Sequence, residues 1–448
     1  MENNNGINSV LLLDNFNEES QMLYKAFKAS GFEGKVITMS DDGFLPEDVI
    51  SLYRYFCRIT KDDGFGKPRY FNQINVPDYW EIESDNSTGK VMNLYKKRGT
   101  IFYEKPTNKR LVRVVDWMNE EGVVRSCDHY DCYGVLYART TFNKKGQRFC
   151  KSYYDADGKE VIVENFVTGD IVLNYDQKVY VLRSKTDLCR KLFEIANIQY
   201  DSIYYNSLSF PFFVSESYRS DEKKDILFWQ EDPRNDIPGN MQGILNGTSP
   251  RTSTIYVQKK ESYDKLIELG ASPSIVKPLG FVYDYESECK YGNEILICTN
   301  SDQIEKIDYL VEHLPNMKFH IAAITEMSSK LLSMSKYENV SLYPNVKTNV
   351  LEELFHKCDL YFDVNHANEI ANAVQRAFLN NQLIVGFSNT LHNVKYISNE
   401  HVFTDADQMI QFINNIKENN DLFKQELDKQ KKQAMAEETA SYKNVFNG

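Results

Sequence analysis

The sequence predicts an α/β protein in which two Rossmann-type domains of parallel strands face each other across a cleft, with an antiparallel β meander inserted into the first. Three observations carry this reading. Apolar strand-length runs alternate with helix-period segments at both ends of the chain, the pattern of parallel strands joined by crossover helices. A twelve-residue repeat interrupts that alternation, placing Gly122, Gly134, Gly146 and Gly158 three residues after Asn119, Asp131, Asn143 and Asp155. Finally, 448 residues are too many for one compact core, and 42% apolar content with 13% aromatic content can fill several.

The opening is a β-α-β unit. Val10-Leu11-Leu12-Leu13 reads as a buried strand, and Glu18 to Ser30 carries Met22, Leu23, Ala26 and Phe27 at helical spacing before Gly31. Val36-Ile37-Thr38 returns as a second strand, followed by a helix near Pro46 to Cys57. No G-x-G-x-x-G follows the first strand, so the dinucleotide fingerprint is missing where it would act. From Gly64 to Pro106 the chain reads as irregular and aromatic-rich.

The repeat is a series of hairpin turns. Each Asn or Asp caps its turn through the side chain, each Gly takes a positive φ, and Met118, Tyr130, Phe142 and Tyr154 precede the caps. The eight residues between successive turns are expected to divide into two short strand arms. Arg110, Arg113, Arg125, Arg139 and Arg148, interleaved with Tyr133, Tyr137 and Tyr153, indicate an exposed polar face suited to a partner. As an insertion, the meander is expected to be separable from its host.

Alternation then resumes, with a helix near Lys185 to Ala196, strands at Asp225 to Trp229 and Thr252 to Val257, and elements at Pro238 to Leu245 and Ser262 to Leu269. The second α/β domain has strands at Glu294 to Cys298, Lys318 to Ala322, Val340 to Leu342, Leu360 to Phe362 and Gln382 to Val385. Ile304, Ile307, Leu310, Val311 and Leu314 form one apolar helical stripe between two of them. The polar tail from Asp405 reads as a solvated helix crossing back over the domains. The expected boundaries are 1–63 and 185–278 for the first domain, 64–184 for the insertion, 279–404 for the second domain and 405–448 for the tail.

Composition excludes several classes. A formal charge of −12 argues against general nucleic-acid binding, which needs a concentrated positive field. Eight cysteines show no C-x-x-C spacing and no histidine at zinc distance, so they read as reduced buried thiols of a cytosolic protein, with no metal site. Met1-Glu2-Asn3-Asn4-Asn5 lacks a charged leader region, and no apolar run is long enough to span a membrane.

The C-terminal half resembles the donor-binding half of GT-B glycosyltransferases, whose sugar-nucleotide site carries two glutamates eight residues apart in a glycine-rich run ending in P-V-I-G. Leu383-Ile384-Val385-Gly386 takes the place of that ending. The two glutamates then fall on Asn368 and Arg376, and the glycine before the strand becomes Asn381. A carboxylate that would hold donor hydroxyls is thus replaced by a cation, and Ala367-Asn368-Glu369-Ile370 stands where glycines would let backbone approach a diphosphate. The site reads as one that has lost donor turnover. Glu369 is a one-residue-shifted candidate, but the position eight residues on is Ala377.

Over most of its length the chain resembles the GtfB family. The resemblance rests on Asp42-Gly43-Phe44-Leu45-Pro46-Glu47-Asp48, Phe71-Asn72-Gln73, Val163-Glu164-Asn165 with Val167-Thr168-Gly169-Asp170-Ile171, and Asn206-Ser207-Leu208. It continues in Pro238-Gly239-Asn240-Met241-Gln242, Ser301-Asp302-Gln303-Ile304-Glu305, and Ile321-Ala322-Ala323 with Thr325-Glu326-Met327-Ser328. The resemblance implies a subunit without catalytic residues or cofactor. It would stabilise GtfA, which holds UDP-N-acetylglucosamine, and bind a serine-rich repeat adhesin as acceptor. The inserted β domain would form the contact between the subunits. It also implies a cytoplasmic protein working beside an export system, which leaves peripheral membrane attachment open.

Acceptor-binding candidates are side chains expected at strand ends on the cleft side: Trp229 and Gln230, Asn206 and Ser207, Asn240, Asn365 and His366. Trp229 would supply an aromatic floor and the others hydrogen bonds to an extended Ser/Thr peptide. Histidines 129, 313, 320, 356, 392 and 401 form no motif. Two rival readings are a self-sufficient GT-B transferase and a purely structural chaperone of GtfA.

Overall fold

The structure is a computed structural model and describes residues 8–218, 222 and 224–447. The leader reading of residues 1–5 lies outside the described residues. The chain falls into two units, Met1–Pro278 and Leu279–Gly448. Among the described residues it forms a seven-stranded, a ten-stranded and a six-stranded sheet.

The first unit opens with β1 (Ser9–Leu13), α1 (Glu18–Ala29), β2 (Lys35–Thr38), β3 (Val49–Ser51) and the single turn α2 (Arg54–Cys57). Every β1 residue is buried, as expected of a strand covered on both faces. α1 starts where the Asn17 side chain accepts the Ser20 N–H and Glu18 and Glu19 meet the helix dipole; Leu23, Ala26 and Phe27 form its inward face. The helix expected at Pro46 to Cys57 is instead β3 plus α2: Val49 and Ser51 are buried and Ile50 is not, a strand period that the proline and the acidic pair before it obscured.

The meander follows as β4 (Trp80–Ser84), β5 (Thr88–Asn93), β6 (Lys96–Tyr103), β7 (Val112–Met118), β8 (Val124–Tyr130), β9 (Leu136–Phe142), β10 (Arg148–Tyr154), β11 (Glu160–Asn165), β12 (Ile171–Tyr175) and β13 (Lys178–Leu182). These strands pair in sequence order, each antiparallel to the next. The turns are built as their composition requires. Asn119, Asp131, Asn143 and Asp155 each accept the N–H two and four residues ahead, and the four glycines have φ between 75° and 81°. Between turns runs one continuous seven-residue strand rather than two arms. The stretch expected to be irregular contains β4 to β6, whose Trp80 and Ile82 alternate with Glu81 and Glu83 and close over a separate cluster of Ile74, Val91, Ile101 and Val115.

The first unit is completed by α3 (Lys185–Ile195), β14 (Ser202–Tyr205), α4 (Phe210–Glu216), β15 (Asp225–Trp229), α5 (Gly239–Leu245), β16 (Thr252–Val257), α6 (Lys260–Glu268) and β17 (Val276–Pro278). Its parallel sheet has the order β17-β16-β15-β14-β1-β2-β3, so the meander is inserted between strands of one sheet. The insertion shares its host's core. Tyr137, Ala138, Tyr153, Ile162 and Leu173 are buried in one cluster with Ile37, Tyr53, Phe56 and Leu188, and the Tyr53 and Tyr153 rings stack at 4.1 Å. Gly43 fixes the joint. It has φ +90°, its carbonyl accepts the Cys132 N–H at 2.8 Å, and a Cβ there would lie 2.6 Å from the Tyr130 carbonyl.

The second unit runs β18 (Glu294–Thr299), α7 (Ile307–His313), β19 (Lys318–Ala323), α8 (Ser329–Leu332), β20 (Val340–Tyr343), α9 (Thr348–Lys357), β21 (Leu360–Asp363), α10 (Ala373–Leu379), β22 (Leu383–Phe387) and β23 (Val402–Phe403). The sheet order is β20-β19-β18-β21-β22-β23, with every pair parallel. The tail is not one solvated helix. It folds as α11 (Ala406–Lys417), α12 (Asn420–Gln433) and α13 (Thr439–Asn447), and α12 buries Phe423, Glu426, Leu427 and Gln430 in the second unit. Those residues fall at i, i+3, i+4 and i+7, one stripe that the surrounding charges hid. Gln430 completes the sheet edge by accepting the Ile384 N–H at 2.8 Å and donating to the Gln382 carbonyl at 2.9 Å.

All eight cysteines are free; five are buried, Cys132 and Cys150 are half-buried and Cys289 is exposed. Among the described residues no helix is long and apolar enough to cross a membrane.

Candidate functional site

Ligands of parallel α/β sheets bind at the carboxyl ends of the strands, and each unit has one such edge. In the first unit, β1, β14, β15 and β16 are followed by Asp14, Asn206, Gln230 and Gln258. Asn206 accepts the Asp14 N–H through Oδ1 and donates to Ser20 Oγ and Gln230 Oε1, each at 2.9 Å. Gln230 in turn donates to the Glu19 carbonyl at 2.9 Å and to Gln258 Oε1 at 2.7 Å. This chain of amides is buried and stitches the strand ends to the start of α1. Burial holds the Asp14 carboxyl above its ordinary range, with Lys185 opposing the shift.

The acceptor candidates of this unit therefore sit differently from expectation. Trp229 is 2% exposed and belongs to the core, so its ring is framework and not the floor of an open site. The Asn206 and Gln230 amides are occupied by the chain itself. Ser207 Oγ accepts the Ser209 N–H at 3.1 Å, closing a turn, and Asn240 donates to the Leu208 carbonyl at 2.9 Å. Both of the latter remain half-buried and keep hydrogen-bonding capacity toward solvent.

In the second unit, Asn365 follows β21 and is buried. Its Oδ1 accepts from Thr299 Oγ1 at 2.8 Å, and its Nδ2 donates to the Ala367 carbonyl at 3.1 Å, joining the loops after β18 and β21. His366 is exposed and pairs with Glu305 at 2.6 Å. Of the paired candidates, Asn365 and His366 lie together, as do Asn206, Ser207, Gln230 and Asn240 around the first edge.

The donor-type positions are disarmed one by one. Asn368 is exposed and neutral. Glu369 turns back on its own helix, accepting the Val374 N–H at 2.8 Å, and so is spent as a cap of α10. Arg376 lies inside α10, 2.5 Å from Glu352 and with its guanidinium 4.1 Å from the Phe355 ring centre. Asn381, which stands where the transferase pattern has glycine, has a left-handed backbone with φ +54°. Neither aligned position holds a carboxylate. Among the described residues, no group of three or more His, Cys, Asp or Glu side chains is placed to hold a metal ion.

One residue at this edge escaped the sequence reading. His392, in the connection after β22, sits with Nδ1 2.6 Å from Asp363 Oδ1 and Nε2 2.6 Å from the Ala367 carbonyl, while its backbone N–H donates to Asp363 Oδ2 at 2.8 Å. Both ring nitrogens face acceptors, so the ring is satisfied only as the imidazolium. The hydrogen bond to Asp363 is the main reason its pKa is raised to about 9, against the opposing effect of burial. The contact spans 29 residues, and no local motif announces it. Because the folded pKa is raised above the ordinary 6.5, this bond contributes stability in full below pH 6.5 and loses it as pH rises through about 9. Melting temperature is expected to fall between pH 7 and pH 10 in the intact protein and to fall less in His392→Gln. Equal slopes in the two proteins would dismiss the imidazolium.

Comparison with known proteins agrees with this geometry. Family models match in four segments: the GtfB N-terminal domain over residues 10–56, the GtfB middle domain over 80–183, the GtfB third domain over 185–269 and the GftB/GlyA-F C-terminal domain over 295–430. The chain is 41% identical to the UDP-N-acetylglucosamine–peptide N-acetylglucosaminyltransferase stabilizing protein GtfB of Streptococcus agalactiae, across 98% of this chain and 99% of that one. It is 40% identical to the protein of the same name from Streptococcus gordonii, across 91% of each. A chain of a crystallised GtfA/B complex bound to UDP and GlcNAc superposes with a TM-score of 0.89 at 37% identity, over 97% of this chain and 98% of that one. The pneumococcal O-GlcNAc transferase GtfA, at 13% identity and a TM-score of 0.51 over 99% of each chain, shares the GT-B-like fold alone. With this identity maintained over almost the whole length of its relatives, the chain belongs to the GtfB family.

Proposed function

We propose that this chain is a non-catalytic subunit that stabilises and activates a GtfA glycosyltransferase and binds a serine-rich repeat adhesin as acceptor. The reaction served is transfer of the first N-acetylglucosamine from UDP-GlcNAc to Ser or Thr. The observation that carries the reading is the conjunction of full-length kinship with stabilizing proteins and a donor edge whose carboxylate positions hold Asn368 and Arg376. A transferase of this architecture stabilises charge and orients the sugar with preorganised groups at that edge, and here Glu369 and Arg376 are both engaged within the chain. The protein works in the cytoplasm, at most peripherally attached to the inner face of the membrane.

The meander is the docking element for the partner. Its free end carries Tyr79, Leu94 and Tyr95, which are 96%, 80% and 83% exposed and lie beside one another because Trp80 pairs with Asn93. Large apolar side chains this exposed are characteristic of a contact surface. Purified alone, the chain is expected neither to transfer nor to hydrolyse UDP-GlcNAc; with its partner, transfer to a repeat peptide is expected. Leu94→Glu with Tyr95→Glu is expected to fold normally and to abolish co-purification of the partner. Turnover by the isolated chain that is lost in Glu369→Ala would overturn the non-catalytic reading.

A further inference from the structure

We infer that the free edge of β13, with the groove beside it, takes up an extended polypeptide by strand addition, and that this polypeptide is the Ser/Thr-rich acceptor. The identity of the occupant rests on the function proposed above; the edge itself does not. β13 is the last strand of the ten-stranded sheet. It is joined to β12 by the two-residue turn Asp176-Gln177, with φ of 49° and 64°, a turn in which the flanking Tyr175 and Lys178 exchange both backbone hydrogen bonds. Alternation from there makes Leu173–Tyr180 and Ile171–Leu182 the bonded pairs and turns the N–H and C=O of Val179 and Val181 to the open side. The other face of β12 fixes the same phase independently. The Asn165 N–H donates to the Asp170 carbonyl at 2.9 Å, so Val163 and Val172 form a bonded pair, and Val172 meets Val181 without bonds.

The two edges of this sheet are treated differently. β4 carries exposed Glu81 and Glu83, the charges that deter pairing with another chain. β13 carries Val179 and Val181, 67% and 64% exposed, and no charge between them. Beside it lies a groove of about 640 Å³ whose lining includes Val181, Arg190, Phe193, Tyr200 and Tyr218. Tyr200 packs edge-on against Phe193 and Tyr218 with ring centres 5.3 and 5.2 Å apart, giving an aromatic wall with hydroxyls.

The chemistry selects the occupant. A row of outward N–H and C=O groups recognises a backbone whatever its side chains, which suits a repetitive chain of small hydroxyl residues. The charges around the groove are matched in pairs, Arg190 with Asp187 at 3.6 Å, Lys191 with Glu194 at 2.6 Å and Arg183 with Asp170 at 3.4 Å, so it presents a nearly neutral polar surface to a neutral peptide.

The test uses the full-length chain in complex with its partner subunit and an unglycosylated Ser/Thr-rich repeat peptide, read by hydrogen exchange and by peptide titration. Peptide is expected to slow exchange of the Val179 and Val181 amides. Val181→Pro removes an outward N–H and no ladder bond, and is expected to weaken the peptide about tenfold, the effect of one hydrogen bond. Val181→Ala, which keeps the N–H, should weaken the peptide less than Val181→Pro does. If Val181→Pro does not fold, Val179→Lys, which brings a charge to the edge without altering the backbone, should weaken binding in the same direction. Parental affinity in either folded edge variant, or exchange of the Val179 and Val181 amides in the parent that peptide leaves unchanged, overturns the edge site while leaving acceptor binding intact. A complex that binds no peptide at all overturns the acceptor reading itself. Protection of the two amides by the partner before peptide is added assigns the edge to subunit assembly and likewise overturns the inference.

Discussion

Deletion of residues 110–165 with closure of the gap is expected to unfold the first unit. The meander reads in the sequence as a separable insertion, and its regular turns encourage that view. The structure places Val135, Tyr137, Ala138, Tyr153, Val161 and Ile162 inside the same buried cluster as β1, β2 and α3. Each large apolar side chain withdrawn from such a core removes ~1.5–3 kcal/mol. The five large ones, all but Ala138, together match the whole ~5–15 kcal/mol that holds a domain folded. Tyr53, now stacked on Tyr153, would be left facing water. Circular dichroism and thermal melting of the deletion variant are expected to show loss of the cooperative transition of the first unit and insoluble expression. A soluble variant with a parental melting transition would show that the β1–β17 sheet carries its own core. Loss of partner binding on such a deletion would therefore say nothing about where the partner docks, which is why substitutions at the exposed Leu94 and Tyr95 are the informative ones.

The two parallel sheets were legible because their strands are apolar on both faces and end at turn residues. Asp225 to Trp229 and Thr252 to Val257 match to the residue, and five of the six strands of the second unit to within two, while β14, β17 and the two-residue β23 find no counterpart in the sequence reading. β4 to β6 were not legible, since Lys96-Lys97-Arg98 opens β6 and glutamates alternate along β4. Their strand character comes from the cluster around Ile74 and Ile101, which local composition does not reveal. At the site, that Asn368 and Arg376 stand where the transferase pattern has glutamates needs only residue identity and one anchoring strand. What each amide bonds to was not legible. Asn206 contacts Asp14 across 192 residues and His392 contacts Asp363 across 29, so whether a polar side chain near a strand end is spent or available depends on contacts that no local pattern encodes. Among the acceptor candidates, Trp229, Asn206, Gln230 and Asn365 are buried, whereas Ser207, Asn240 and His366 keep access to solvent, a division that position in the chain does not reveal.

Trp229→Ala is expected to cost the first unit ~3–5 kcal/mol, the range for removing a buried large aromatic side chain when the core cannot fully collapse. The ring is 2% exposed, at the end of β15, in contact with the cluster that includes Leu227, Val257 and Leu266. In a unit of this size a loss of that order lowers the melting temperature by roughly 10 °C. His366→Ala offers the contrast. Its partner Glu305 and the ring itself are 24% and 33% exposed, and a side-chain hydrogen bond this accessible to water contributes about 1 kcal/mol or less. Combining the two substitutions would confound a folding defect with a binding defect. Measured singly, Trp229→Ala is expected to weaken peptide binding only in proportion to the unfolded fraction, so that affinity recovers on cooling, and His366→Ala is expected to leave stability untouched. A Trp229→Ala protein that melts with the parent yet loses the acceptor would restore the ring as a floor of the binding site. Loss of acceptor binding in the well-folded His366→Ala protein would place the peptide at the β21 edge of the second unit, against the β13 edge of the meander.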